Sequence, residues 1–466
     1  MARRVHLIGI CGTAMATLAA LLKSRGDDVQ GSDEHVYPPM SGFLAGEGIP
    51  ILEGYSADHI TADLDLVVVG NAISRGNVEL EAVLDRSVRY ASLPETIRDT
   101  FLWTADAVVI AGTHGKTTTA SLTGWLLTSG GCDPSLLVGG IARNFGAGGA
   151  SYRVGAGKTF VIEGDEYDSA YFDKTAKFLK YLPDIAVVNN VEFDHADIYP
   201  DLAAVRLAFA RFVLLVPGRG LVLLGADSPD AAALAPHARC RVQTFGLSAG
   251  ATWRATGLVP EGDGTRFTVH GPDGVAGELV VPLRGAHNVR NALAAVAVSH
   301  ECGLTLDAIR TGLATFLGVK RRLEVIGERR GVTVYDDFAH HPTAVAETIA
   351  AMRASRPGHR LWTIFEPRSA SSCRRVFQAD FATAFAGADE VVLAPVYRSA
   401  LPDELRLSGT ELVADLHAAT VSARQLPDVD AIVSHVAAHA RPGDDVVVMS
   451  NGGFGGIHGK LLEALA

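Results

Sequence analysis

Short runs of apolar, largely β-branched residues recur along this chain and alternate with longer stretches of helical periodicity. The first run, Val5 to Ile10, reads as a buried strand, and an apolar helix follows through Leu22. Two further strands are expected to end at Gly31-Ser32-Asp33 and at Gly70-Asn71-Ala72-Ile73-Ser74. A second series comprises Val108 to Ala111, Phe160 to Glu163, Ile185 to Asn190 and Gly220 to Leu224. Residues 240–282 carry shorter alternating runs such as Thr265 to Val269, which predict antiparallel structure. An Ala-rich helix is expected over 288–300. A third series begins near Leu323, with strands at Val332–Tyr335, Leu361–Phe365, Glu390–Leu393 and Asp445–Met449. Strands alternating with helices predict parallel, doubly wound sheets whose ligands sit at the carboxyl ends of the strands. The expected class is α/β, in three consecutive domains: residues 1–104 Rossmann-like, 105–320 like a P-loop ATPase, and 321–466 Rossmann-like.

The most specific chemistry lies in Gly112-Thr113-His114-Gly115-Lys116-Thr117, between a buried strand and a helix. Glycines let the backbone approach phosphate oxygens, and the helix N-terminus adds positive potential. Lys116 supplies a point charge, and the Thr117 hydroxyl is placed to ligate Mg²⁺. Ile110 stands where the usual loop has a glycine, so this is a shortened variant, and the motif predicts a nucleoside triphosphate. The first turn, Gly9-Ile10-Cys11-Gly12-Thr13-Ala14, is an incomplete dinucleotide fingerprint, with Asp33 where a ribose-binding acid is expected. It fits either a nicotinamide or flavin cofactor or another nucleotide.

Two acidic clusters, Glu163-Gly164-Asp165-Glu166 and Glu192-Phe193-Asp194-His195, follow strands on the edge that carries Lys116. They suit Mg²⁺ or act as helix-capping loops, and His195 is either a ligand or structural. Asn288 and Asn291 share a helical face and either read a purine edge or cap the helix. Asp336-Asp337 and His340-His341 sit after a strand, with Pro342 suited to a first helical turn. Arg368 is a natural carboxylate clamp, and the turn Ser450 to Gly456 admits a substrate chain close to the backbone.

Bulk properties narrow the field. The 466 residues carry a net charge of −11, which argues against a nucleic-acid surface. Five scattered cysteines without a C-x-x-C fit a reducing cytoplasm and make disulfides and zinc poor expectations. Met1-Ala2-Arg3-Arg4 runs straight into a strand without the apolar segment of a secretory signal. No apolar run reaches the length of a membrane span.

Taken together, these segments resemble the ATP-dependent muramyl ligases along essentially the full chain. The carriers are the 112–117 loop, the 163–166 cluster, Asp194-His195, His287-Asn288-Val289-Arg290-Asn291, Arg321-Arg322 and Asp336 to Thr343. Gly9 to Thr13, Val36 to Met40, Glu366-Pro367-Arg368-Ser369 and Met449 to Gly456 look like the branch that recycles cell-wall peptide. The resemblance implies that UDP-N-acetylmuramate attacks ATP through its lactyl carboxylate. The amine of L-alanyl-γ-D-glutamyl-meso-diaminopimelate then displaces phosphate from the acyl phosphate. It further implies ATP and Mg²⁺ as cofactors, a cytoplasmic location and a monomer or weak dimer with no membrane partner. Lys116, Glu163 and His195 would be catalytic, with Thr117, Glu163 and His195 on metal. Gly112, Thr113, His114, Gly115, Lys116, Thr117, Asn288, Asn291, Arg322 and Asp337 would hold ATP. Gly9, Cys11, Gly12, Thr13, Ser32, Asp33 and Ser74 would hold the UDP-sugar, and Arg368, His341 and Asn451 the peptide. Several family members carry a carbamylated lysine downstream of the histidine matching His195, but residues 196–215 contain no lysine. The rival within the family is the L-alanine-adding branch; outside it stand a dinucleotide-dependent oxidoreductase and a non-catalytic nucleotide sensor.

Overall fold

A computed structural model describes residues 2–397 and 401–466, so Met1 of the opening stretch lies outside the described residues. Two compact units emerge, each assembled from several chain segments. The first comprises residues 1–192, 203–254 and 293–312, and the second 193–202, 255–292 and 313–466.

Among the described residues, the first unit contains two large sheets and a separate two-stranded hairpin. One has five parallel strands in the order Ile51–Glu53, Asp28–Asp33, Arg4–Ile8, Leu66–Val69 and Tyr90–Ser92. Chain order reverses between Arg4–Ile8 and Leu66–Val69, which opens a crevice at their carboxyl ends. Gly9, at φ +81°, ends the first strand, and the helix Thr13–Ser24 starts after Gly12. Within the second sheet, Arg241–Gly246, Leu221–Gly225, Ile185–Val188, Asp106–Ala111, Thr159–Gly164 and Ser135–Ala142 lie side by side and parallel. Ala150–Arg153 adds an antiparallel edge, and Asp168–Ala170 with Asp173–Ala176 forms a small hairpin.

One expectation is corrected here. The stretch from 240 begins with a parallel strand, Arg241–Gly246, registered on Leu221–Gly225, and Phe245 and Gly246 pair in parallel with Trp253 and Arg254. The antiparallel pattern is confirmed in the Gly264–His270 and Ala276–Val281 hairpin. Side chains alternate with period two in both kinds of strand, so the pattern carries no direction.

In the second unit, six strands run in the order Glu324–Arg329, Val332–Asp337, Asp445–Met449, Leu361–Phe365, Glu390–Leu393 and Ser422–Gln425. Only the first pair is antiparallel. Tyr335, Phe365, Val391, Leu393, Val447 and Met449 enter one core, with Val345, Ile349, Phe381 and Leu412. Val334, Trp362, Ile364, Val392, Val446 and Val448 enter another, with Ile432, Val436, Ile457 and Leu461. Burial on both faces explains why these strands read as continuous apolar runs.

Candidate active site

The strand Asp106–Ala111 feeds the loop 112–115, and Gly115, left-handed at φ +79°, directly precedes the helix Lys116–Ser129. Gly112 has φ +133°, and a Cβ there would lie 3.0 Å from the Asn189 backbone nitrogen. Both glycines are required by geometry, as the motif predicts. The neighbouring strand Ile185–Val188 ends in two asparagines that brace the loop. Thr113 N–H donates to the Asn190 carbonyl at 3.0 Å, and His114 N–H to Asn190 Oδ1 at 2.7 Å. Asn189 Nδ2 donates to the His114 carbonyl at 3.2 Å and to Thr119 Oγ1 at 3.1 Å. Glu192 N–H donates to Thr113 Oγ1 at 2.8 Å, and His114 Nε2 lies 3.3 Å from Glu192 Oε2. This bracing escaped the sequence reading, although Asn189-Asn190 directly after an apolar run was its visible trace.

Lys116 Nζ donates to the carbonyls of Gly112 at 2.8 Å and Thr113 at 3.2 Å, and lies 2.8 Å from Glu166 Oε2. Burial favours its neutral amine, but Glu166, Asp165 and Glu163 outweigh burial and hold the ammonium above its usual range. Thr117 Oγ1 donates to Glu163 Oε1 at 3.1 Å, and Gly139 N–H to Glu163 Oε2 at 2.7 Å. Burial raises the Glu163 carboxyl, with Lys116 opposing. A hydroxyl and a buried acid at this spacing are a hard, all-oxygen pair, which fits Mg²⁺. Glu166, of the acidic cluster that suits Mg²⁺ or a capping loop, is paired with Lys116 in this structure.

A cleft of about 1130 Å³ lies at the crevice of the five-stranded sheet. Gly9, Cys11, Gly12, Thr13, Asp33 and Ser74 line it. Ser32 does not: its side chain is fully buried. Asp33 Oδ2 accepts the Cys11 N–H at 2.9 Å, so its carboxylate fastens the turn. Asn71, in the strand tail expected at this edge, lines it too, and its Nδ2 donates to Asp168 Oδ1 at 3.0 Å, at the foot of the small hairpin; sequence reasoning missed Ser169 and Lys177.

The remaining candidates belong to the second unit. Asn291 Nδ2 donates to Asn288 Oδ1 at 3.1 Å, and Asn288 Nδ2 to the Arg284 carbonyl at 2.8 Å, inside the helix Ala286–Glu301. Asp337 accepts backbone N–H groups of Leu323 at 2.7 Å and Ala339 at 2.8 Å, and burial raises its carboxyl against Arg322. Arg322 lies over the Phe338 ring at 5.1 Å. His341 caps the helix Pro342–Ser355, and its Nε2 lies 3.1 Å from the Phe193 carbonyl. His195, at φ +52°, donates its N–H to Asp194 Oδ1 at 2.7 Å. Burial would raise the Asp194 carboxyl, but His195, His340, His341 and the Ser371 hydroxyl hold it far below the ordinary range. Arg368 stacks on Tyr397 at 3.9 Å and lies 3.5 Å from Glu366; it crowds Gly452, the neighbour of Asn451.

Three family models match the chain in succession. They are the Mur ligase family catalytic domain at 4–101, the Mur ligase middle domain at 110–299 and the Mur ligase glutamate ligase domain at 321–452. An Escherichia coli (strain K12) relative, UDP-N-acetylmuramate–L-alanyl-γ-D-glutamyl-meso-2,6-diaminoheptandioate ligase, is 40% identical over 99% of this chain and 98% of its own. A UDP-N-acetylmuramate–L-alanine ligase from Kineococcus radiotolerans is 40% identical over 99% of this chain and 96% of its own. Among solved structures, a murein peptide ligase from Psychrobacter arcticus is 35% identical, with a TM-score of 0.73 over 99% of this chain and 98% of its own. With this full-length likeness and the phosphate loop in place, the chain belongs to the Mur ligase family, and it is an ATP-dependent amide ligase.

Proposed function

We propose that this protein joins L-alanyl-γ-D-glutamyl-meso-diaminopimelate to UDP-N-acetylmuramate, with ATP and Mg²⁺, in the recycling of peptidoglycan. The observation that carries the acceptor assignment is the agreement of the 40% end-to-end identity to the Escherichia coli tripeptide ligase with the 35% identity to the solved murein peptide ligase. A carboxylate is a poor electrophile until phosphorylation supplies a leaving group. The lactyl carboxylate attacks the γ-phosphorus of ATP, ADP departs, and the peptide amine then expels phosphate from the acyl phosphate. Such a transfer needs positioning and charge neutralisation more than covalent help.

Lys116 exchanges Glu166 and the loop carbonyls for the β- and γ-phosphate oxygens and stabilises the moving charge. The helix Lys116–Ser129 turns its positive end to the same phosphates. Thr117 and Glu163 would hold Mg²⁺, with His195 as a further ligand in keeping with the family pattern; there it would supply charge neutralisation for the triphosphate. Asn288, Asn291, Arg322 and Asp337 serve the nucleotide, with Asp337 shaping its own loop. Gly9, Cys11, Gly12, Thr13, Asp33 and Ser74 hold the UDP-sugar. Arg368, His341 and Asn451 meet the peptide, and His341 also caps the helix Pro342–Ser355. The domain limits are placed at 104/105 and 320/321, the location in the cytoplasm and the assembly at a monomer or weak dimer. Among the described residues, no helix is long and apolar enough to cross a membrane.

A second reading, the L-alanine ligase, rests on the Kineococcus radiotolerans relative. Incubation with ATP, UDP-N-acetylmuramate and either free L-alanine or the tripeptide decides between them by product mass. The tripeptide adduct is expected; exclusive use of L-alanine overturns the assignment.

A further inference from the structure

Behind the cleft lies a charged group that neither the phosphate chemistry nor the peptide chemistry uses. Glu79 is fully buried and is the second residue of the helix Val78–Asp85, directly after the cleft-lining Asn77 and Val78. Its carboxylate gathers four partners from three segments. Oε2 accepts the Ser32 hydroxyl at 2.5 Å and lies 3.2 Å from His6 Nε2. Oε1 lies 2.5 Å from His59 Nδ1 and accepts the Ser56 N–H at 3.2 Å. Burial raises this carboxyl, yet hydrogen bonds from His6, Ser32 and His59 prevail and keep it ionised.

From Glu79 the connections lead to both sides of the crevice. The Ser32 carbonyl accepts the N–H groups of Gly9 at 2.8 Å and Ile10 at 3.0 Å, and Asp33 fastens Cys11. On the other side, Asn77 Oδ1 accepts the N–H groups of Glu79 at 3.0 Å and Leu80 at 3.1 Å, which ties the acid's helix to the lining. Packing alone would be served by an apolar side chain without the desolvation penalty of an ion. Nor does the charge attract the ligand, because a carboxylate repels a pyrophosphate. What this arrangement offers is orientation.

We propose that Glu79 is a positioning residue for the nucleotide sugar, holding the Gly9–Cys11 turn and the 70–78 segment in register through Ser32 and its own helix start. The proposal rests on the assignment of this cleft to UDP-N-acetylmuramate. It makes an opposite prediction from simple electrostatics: removing the negative charge weakens binding of an anion.

The test is titration calorimetry of UDP-N-acetylmuramate on the full chain, its Glu79→Gln and Ser32→Ala variants and the double variant, with KM for ATP and Tm in parallel. Glu79→Gln is expected to raise Kd about tenfold, the scale of one charge-assisted hydrogen bond, with KM for ATP changed less than about twofold. The double variant should bind no more weakly than Glu79→Gln alone, because the two residues act through one link. A Glu79→Gln protein whose Kd stays within about twofold of the parent overturns the proposal. If that variant does not fold, an unchanged Kd in Ser32→Ala does so. A parent that binds no UDP-N-acetylmuramate overturns the cleft assignment as well, an outcome separate from a binding parent with unaffected variants.

Discussion

Lys116 is held by Glu166 and by two carbonyls of its own loop, so the cation stands in the phosphate loop with its charge already compensated. Lys116→Ala should lower kcat by at least about 100-fold, read as phosphate release with all three substrates present. The same change removes an ion pair with the nearly fully buried Glu166, so Tm should fall too. A second residue-scale expectation concerns Glu347. Burial raises its carboxyl, but His287 and Arg290 outweigh that and bring it down to about 2. A depressed carboxyl stabilises the fold above its unfolded value and loses that contribution as pH falls through the folded value. The Tm advantage of the parent over Glu347→Gln should therefore be full near pH 6 and vanish as pH falls toward about 2. Single residues were legible where the chemistry is contiguous, as in Gly112 to Thr117. The Glu166 partnership spans 50 positions and depends on which rotamer reaches the loop, which no local pattern encodes.

At the scale of elements, the phosphate loop depends on the strand beside it. Gly112→Ala places a Cβ against Asn189 at a backbone angle that L residues rarely adopt. It should cost on the order of 1–3 kcal/mol in urea unfolding and abolish detectable ATP binding by calorimetry. Strand runs were legible because burial on both faces leaves an unbroken apolar signature, and the Pro342 helix start was legible from proline's fixed φ. The direction of Arg241–Gly246 was not, since period-two alternation is common to both orientations. The hairpin Asp168–Ala170 with Asp173–Ala176 was also missed, because three- and four-residue strands rich in Asp, Lys and Ser resemble a polar loop.

For the molecule as a whole, the reading of the sequence as an ATP-dependent ligase of the muramyl family is borne out by full-length relatives. Each compact unit is assembled from several chain segments, a tertiary fact set by long-range contacts that no local pattern carries. Saturating nucleotide sugar should raise Tm by an amount that grows with the logarithm of its concentration, about 2.7 kcal/mol of stabilisation at 100 times Kd. Differential scanning fluorimetry across a ligand series checks this, and a flat response would refute binding to the native cleft.

The strands Leu361–Phe365 and Asp445–Met449 send alternate side chains into two separate cores. Adding or deleting one amino acid inside either strand would swap the two linings wholesale, turning the residues of each core toward the other, over every position beyond the change. The connection at 426–428, Leu-Pro-Asp, by contrast, lies between a strand and a helix and inverts nothing. Natural length variation in this half of the chain should therefore stop abruptly at strand ends, and a library of single-codon insertions scored for survival would draw that border.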